Sequence, residues 1–417
     1  MLTVFALQHS VMAMQIRSIT VGVDAGWPLP DSVVADAGQF LAQARGVFER
    51  AGFLVQTTRL CTQPAHLLVT PAALPELVRA VDAACSKAAI PYCAVGGIVL
   101  GDAWSEEATV HAVVDAVCAS ERVFSSLQVA REGGIDFRAA RAAGAIIQRI
   151  SSRTPDGFGN LRFAAAAGCP ANIPFFPAAW HAGGKPRFAL ALQSADDVVK
   201  AFSEPGSVED AEARLLCSLE DIGTRLEQVA ADLEKESGVL FVGLDLSPAP
   251  FPVDVVSAAG GLEALGQRFG GAGSIFMAWR LTQTLKRTRL RRAGFSGLMM
   301  PVLEDTVLAR RAAEGLLSVN DLLLYSTICG TGLDTVPLPG DITEGELGGI
   351  VLDVAALSTA LGKPLTARLF PVPGKRAGDP AEFDFPFFVP SRVLATKGHG
   401  ADGLLARALG ERQCAGE

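Results

Sequence analysis

Thirteen residues from Cys329 to Asp341 combine a thiol, two carboxylates, three glycines and two prolines in the order Cys-Gly-Thr-Gly-Leu-Asp-Thr-Val-Pro-Leu-Pro-Gly-Asp. Cys329 offers a nucleophile if the amides of Gly330, Thr331 and Gly332 point at its sulfur; otherwise it is a small buried hydrophobe. Asp334 and Asp341 offer acids or oxygen ligands. Thr331, Gly332 and Thr335 lie between them as candidate substrate contacts. Gly330 and Gly332 permit positive φ and close approach of backbone to a ligand, and Pro337 and Pro339 fix φ. That composition argues against a helix or a plain strand. The run Leu322–Ile328 ahead of it is apolar enough to be buried, so the motif starts inside the molecule and emerges from it.

Three more acids end apolar runs. Val239–Leu244 leads into Asp245, followed by Ser247, and Gly297–Leu303 leads into Glu304 and Asp305. In α/β folds the carboxyl ends of strands carry ligand groups. If Asp245, Glu304, Asp305, Asp334 and Asp341 converge, their repulsion demands a positive partner. A hard divalent cation, Mg, Ca or Mn, suits an all-oxygen set; Lys375, in a rigid Pro-Gly turn, is the alternative counter-charge or substrate contact. The competing account has Asp305 capping a helix and Asp334 and Asp341 closing turns. A second loop, Cys169 to His181, holds three prolines with Asn172, Phe175 and Phe176, a rigid and aromatic composition that lines pockets. His181 is the acid/base candidate, since its pKa needs little adjustment near neutrality; it equally well caps a chain end. Catalysis is thus assigned to His181, Cys329 and Lys375.

The elements that position these groups alternate. Strands are expected at Gln15–Val23, Phe53–Leu60, Tyr92–Val95, Val239–Asp245, Gly297–Leu303 and Leu365–Phe370. Helices are expected from Asp31 to about Ala51, from Pro71 onward, over Asp136–Ser151 and Ser207–Glu236, and from Thr343 to Leu361, where Gly362-Lys-Pro364 stops the last. Alternation over most of the length argues for a sheet or barrel clad in helices. The expected organisation is a disordered extension over 1–14, a small ferredoxin-like α/β subdomain over 15–125, a main α/β unit over 126–397 and a fraying tail over 398–417.

The totals exclude several functions. Of the 417 residues 49% are hydrophobic and 19% charged, and the mean hydropathy of +0.32 points to extensive burial, including burial between subunits, so a homodimer or higher oligomer is expected. A net charge of -8 opposes nucleic acid and anionic membranes. The basic cluster Lys286–Arg292 ends a helical pattern and reads as a solvated helix terminus. Eight cysteines without a CxxC pair favour reduced thiols and a cytoplasmic setting, and five histidines without short spacing oppose zinc. No run is long enough to span a bilayer, the first residues lack the features of a signal peptide, and no phosphate-binding glycine motif or organic cofactor signature is present.

Four ordered motifs, Asp245–Pro250, Pro301–Asp305, Cys329–Asp341 and Arg368–Lys375, together with Ser125, Ser126 and the Pro-Phe-Phe-Pro run at 174–177, resemble a widespread family of uncharacterised proteins, domain of unknown function seven-eleven. The resemblance implies an α/β barrel like that of pyruvate formate-lyase with an N-terminal ferredoxin-like subdomain. Radical chemistry is not expected, because the adjacent Cys-Cys pair and the Arg-Val-x-Gly-aromatic segment of glycyl-radical enzymes are missing. The resulting expectation is an enzyme that binds a small polar, carboxylate-bearing metabolite and performs acid/base or metal-assisted lyase or hydrolase chemistry. Its rival is a metabolite sensor using the same pocket.

Overall fold

The computed structural model describes residues 15–397 and 401–410. The expected extension at 1–14 and the tail residues 398–400 and 411–417 lie outside the described residues. Ten strands form one sheet: β1 (Gln15–Gly22), β2 (Leu54–Cys61), β3 (Tyr92–Ala94), β4 (Val123–Arg131), β5 (Gly134–Ile135), β6 (Phe163–Ala167), β7 (Arg187–Gln193), β8 (Leu240–Asp245), β9 (Gly332–Pro339) and β10 (Leu365–Val372). The architecture is mixed α/β.

In the middle, β1, β2, β3, β4 and β6 run parallel. On one flank β7 runs antiparallel to β1 and carries β8 parallel to itself. On the other, β10 runs antiparallel to β6 and carries β9 in parallel. The two outer pairs therefore oppose the central five. Parallel neighbours need crossovers, and amphipathic helices supply them. Helix Asp31–Arg50 buries Val34, Ala37, Leu41, Ala44 and Phe48 at helical spacing. Helices Phe137–Arg153 and Glu344–Leu361 approach closely, since a Cβ on Gly144 would lie 2.2 Å from the Glu344 carbonyl oxygen.

The segment 291–302 touches both outer strands. Leu244 exchanges backbone hydrogen bonds of 2.8 Å with Arg291 and Ala293 on β8, while Val302 donates to the Asp334 carbonyl on β9 at 3.1 Å. No strand runs through Gly297–Leu303; Pro301 makes an isolated bridge to Asp334, and Glu304 sits in a turn. The boundary expected between 125 and 126 falls inside β4, and β1 pairs with β7 across it. In the C-terminal region expected to fray, Ala401–Ala408 is helical, with Leu405 buried in the core. The aromatic stretch near the end docks as expected, with Phe383, Phe385 and Phe388 packed around Phe158 and Phe370. Among the described residues no helix is long and apolar enough to cross a membrane.

Candidate functional site

The stretch opposed to a plain strand is a strand with a bulge. Leu333 pairs with Ala367 and Val336 with Leu369, so Asp334 and Thr335 together oppose Arg368 alone. The bulge restores the phase of the strand: Leu333 and Val336, three residues apart, both enter the helix-covered core. Thr335 takes φ +44 there, and Gly332, at φ +91, leaves no room for a Cβ, which would lie 2.5 Å from the Thr366 carbonyl oxygen. Thr366, Arg368 and Phe370 alternate with the core residues Leu365, Ala367 and Leu369, so Arg368 faces away from the helices. β1 has a similar irregularity, as Arg17 is the extra residue between Ile16 and Ser18 opposite β7.

These irregularities assemble an ion network. Arg368 donates through Nε to Asp334 Oδ1 at 2.6 Å and through Nη2 to Glu304 Oε1 at 3.1 Å. Arg17 Nη2 donates to Glu304 Oε2 at 2.6 Å, and its Nη1 to the Pro250 carbonyl at 3.1 Å. Glu304 thus bridges two guanidinium groups. Burial opposes the Arg368 charge, but Asp334 and Glu304 outweigh it and hold its pKa above the ordinary value. Burial raises the Asp334 pKa against the pull of Arg368, and among the described residues its buried Oδ2 has no partner.

A third arginine completes the cluster. Arg59 lies on β2, reaches Thr57 Oγ1 through Nε at 3.1 Å, and stands 5.2 Å from the Phe176 ring centroid. Among the described residues no carboxylate pairs with it. Burial first, then Arg17, pushes its pKa down to about 9 against the opposing pull of Tyr92 and Glu304. Arg368 stands 5.5 Å over Phe175, so each neighbouring phenylalanine of the Pro-rich loop faces one arginine.

Two cavity lobes meet at these groups. One, of about 80 Å³, is lined by Arg17, Arg59, Glu304 and Arg368 with Tyr92, Phe124, Leu161, Phe176, Phe385 and Phe387. The other, of about 70 Å³, adds Phe175, Asp245, Ser247 and Asp334 to the same charged groups. Six of the expected residues therefore share one cavity: Phe175, Phe176, Asp245, Ser247, Glu304 and Asp334. Of these, Asp245 is already saturated. It accepts from the Ser247 amide and hydroxyl at 3.0 and 2.6 Å and from the Phe295 and Ser296 amides at 3.1 and 3.0 Å, which fixes the loop after 293.

The other expected site residues lie elsewhere. Asp305 caps helix Thr306–Ala313 through the Val307 and Leu308 amides at 3.0 and 3.1 Å and accepts from Ser257 at 2.6 Å. Asp341 and Lys375 are exposed, so neither faces the buried acids. Cys329 is buried in the apolar core, its amide bonded to the Tyr325 carbonyl at 2.8 Å. Thr331, just ahead of β9, and Thr335 within it are buried; the Thr335 hydroxyl accepts from the Leu303 amide at 3.4 Å. His181 pairs with Asn172 at 2.8 Å and donates its amide to the Thr62 carbonyl at 2.9 Å, fastening the Pro-rich loop to the end of β2. Burial lowers the His181 pKa, and neither His181 nor Asn172 lines the arginine cavity.

The counter-charge for the converging acids is guanidinium. Among the described residues no three His, Cys, Asp or Glu side chains form a set that could hold a metal ion. Arg17 and Arg59 escaped the sequence reading, although each is a lone cation within a strand. Arg368 stood in a motif whose Lys375 drew the attention.

A mixed α/β protein with a cavity lined by arginines and carboxylates is the class that this fold and site define. The chain belongs to the family described as Uncharacterised ACR (DUF711), whose model matches residues 10–386. It is similar to a UPF0210 protein of Pyrobaculum arsenaticum, 33% identical over 363 residues, covering 81% of this chain and 78% of the relative. It is also similar to a UPF0210 protein of Methanopyrus kandleri, 28% identical over 402 residues with 88% of each chain covered, and to one of Methanosarcina acetivorans, 26% identical over 412 residues, covering 89% of this chain and 86% of the relative.

Proposed function

We propose that the chain is an enzyme that binds a small carboxylate-bearing metabolite among Arg17, Arg59 and Arg368 and acts on it by acid/base chemistry of the lyase or hydrolase class. The observation that carries this reading is Arg59, a guanidinium in a concave aromatic site with no carboxylate of its own. An anionic ligand would relieve the unfavourable burial of that charge through charge-assisted hydrogen bonds. Asp334 supports the acid/base part. Its free oxygen and burial-raised pKa suit a group that takes up or gives back a proton.

In this reading Arg17 and Arg368 hold Glu304 and Asp334 in place, and Phe175 and Phe176 exclude water. A cation-assisted variant would have to compete with the two arginines for Asp334 Oδ1 and both oxygens of Glu304, and would have Asp334 Oδ2 left to draw on. The segment 291–302 is proposed to close the sheet into a barrel around the cavity, on the support of its hydrogen bonds to β8 and β9. Subunit association, expected from the composition, is proposed to use the exposed face of Phe276 and Trp279; light scattering tests it.

The test is incubation of the purified protein with pooled carboxylic metabolites, followed by mass spectrometry with and without chelator. Depletion with a new product that persists in chelator supports the proposal, and loss of turnover in chelator restores the cation-assisted form. Retention of a carboxylate without conversion leaves a sensor, and no retention at all ends the reading.

A further inference from the structure

The two lobes differ in chemistry, and the difference describes a ligand. They share Arg17, Arg59, Phe176, Glu304 and Arg368, which form the junction. Beyond it, the first lobe is walled by Tyr92, Phe124, Leu161, Phe385 and Phe387 together with Gln56 and Thr57, and Tyr92 and Phe124 stand edge to face at 5.4 Å. No cation other than the junction arginines lines that lobe. An apolar group, and a ring above all, gains both burial and edge contacts.

The second lobe offers one open polar function. Asp245 is saturated by four hydrogen bonds, and the Ser247 hydroxyl is engaged with it. Asp334 is 1% exposed, lines this lobe, and keeps Oδ2 unpartnered. Its other oxygen is held by the same Arg368 that stands at the junction, so a ligand group reaching Oδ2 sits beside the anion rather than far from it.

From these observations we infer that the ligand is a carboxylic acid with an apolar, ring-bearing side chain and a hydroxyl or amino group on the carbon next to the carboxylate. The carboxylate compensates Arg59, the ring enters the aromatic lobe, and the hydroxyl or amino group meets Asp334 Oδ2. This inference rests on the carboxylate reading of the preceding subsection and narrows it.

Isothermal titration calorimetry of the full chain tests it with five probes: 3-phenyllactate, phenylalanine, 3-phenylpropionate, succinate and 2-phenylethanol. The expected result is that 3-phenyllactate or phenylalanine binds at least tenfold more tightly than 3-phenylpropionate and succinate. 2-Phenylethanol does not bind, and Arg59→Met weakens the binding of the best acid on the order of 10–100-fold. Equal binding of 3-phenyllactate, phenylalanine and 3-phenylpropionate overturns the role given to Asp334 Oδ2. Preference for succinate, lost in Arg59→Met, overturns the ring-bearing class while leaving the anion site standing. Binding that is equally tight in Arg59→Met, or no binding of any acid, overturns both the inference and the reading beneath it.

Discussion

Arg368 Nε lies 2.6 Å from Asp334 Oδ1, and the two residues oppose each other because β9 carries one residue more than β10 between Leu333 and Val336. Both side chains are almost fully withdrawn from water. Removing one partner of such a pair strands the other, so Arg368→Met is expected to cost about 3–5 kcal/mol. Combining it with Asp334→Asn should return more than half of that loss. Urea denaturation of the three variants measures the coupling, and strict additivity would show the pair to be energetically idle.

Arg59 behaves oppositely, because it has no carboxylate to strand. Arg59→Met should leave stability unchanged or raise it by on the order of 1 kcal/mol. The same change should weaken a bound carboxylate on the order of 10–100-fold, the equivalent of one hydrogen bond between charged groups. A clear loss of stability in thermal melts without ligand would mean that Arg59 is structurally needed.

Gly294 and Gly374 both adopt positive φ, +62 and +75. A Cβ at Gly374 meets nothing, whereas one at Gly294 would lie 2.0 Å from Asp245 Oδ2. Gly374→Ala should therefore cost only the backbone penalty of about 1–2 kcal/mol. Gly294→Ala should cost clearly more, because Asp245 is held by four hydrogen bonds and cannot move aside. Similar denaturation midpoints for the two variants would contradict the packing described around Asp245.

His66 provides a pH test. Burial, then Arg131, lowers its pKa from 6.5 to about 4, while its Nδ1 accepts from the Val99 amide at 3.3 Å. The unfolded chain therefore binds this proton at higher pH than the folded one. Its contribution to stability is complete above about pH 6.5 and is lost as pH falls toward and through 4. His66→Gln should reduce the difference in stability between pH 7.5 and pH 5. An unchanged difference would remove His66 from the account.

Much of the scaffold was legible. Ser207 and Thr343 cap their helices as full capping boxes, Gly362 ends its helix in the left-handed conformation, and β1, β2, β8 and β10 lie within two residues of expectation. Local chemistry decides such features, so local sequence reports them. Gly297–Leu303 misled because its apolar residues serve a buried turn rather than a strand. The acids were read as a set, yet Asp305 went to a helix cap and Asp341 to the surface, since one residue along the chain redirects a side chain completely.

By itself the sequence determined that strands and helices alternate, that Phe175, Phe176, Asp245, Glu304 and Asp334 sit where loops and strand ends could gather them, and that the acids there needed positive charge. Only the tertiary structure decided where that charge comes from. Arg17 and Arg59 belong to strands more than a hundred residues from Glu304, and Asp334 meets Arg368 through a bulge. Side-chain alternation tells which face a strand residue takes only while the period of two holds. A single inserted residue resets that period, and pairing between distant strands, rather than the residues themselves, settles where the reset falls.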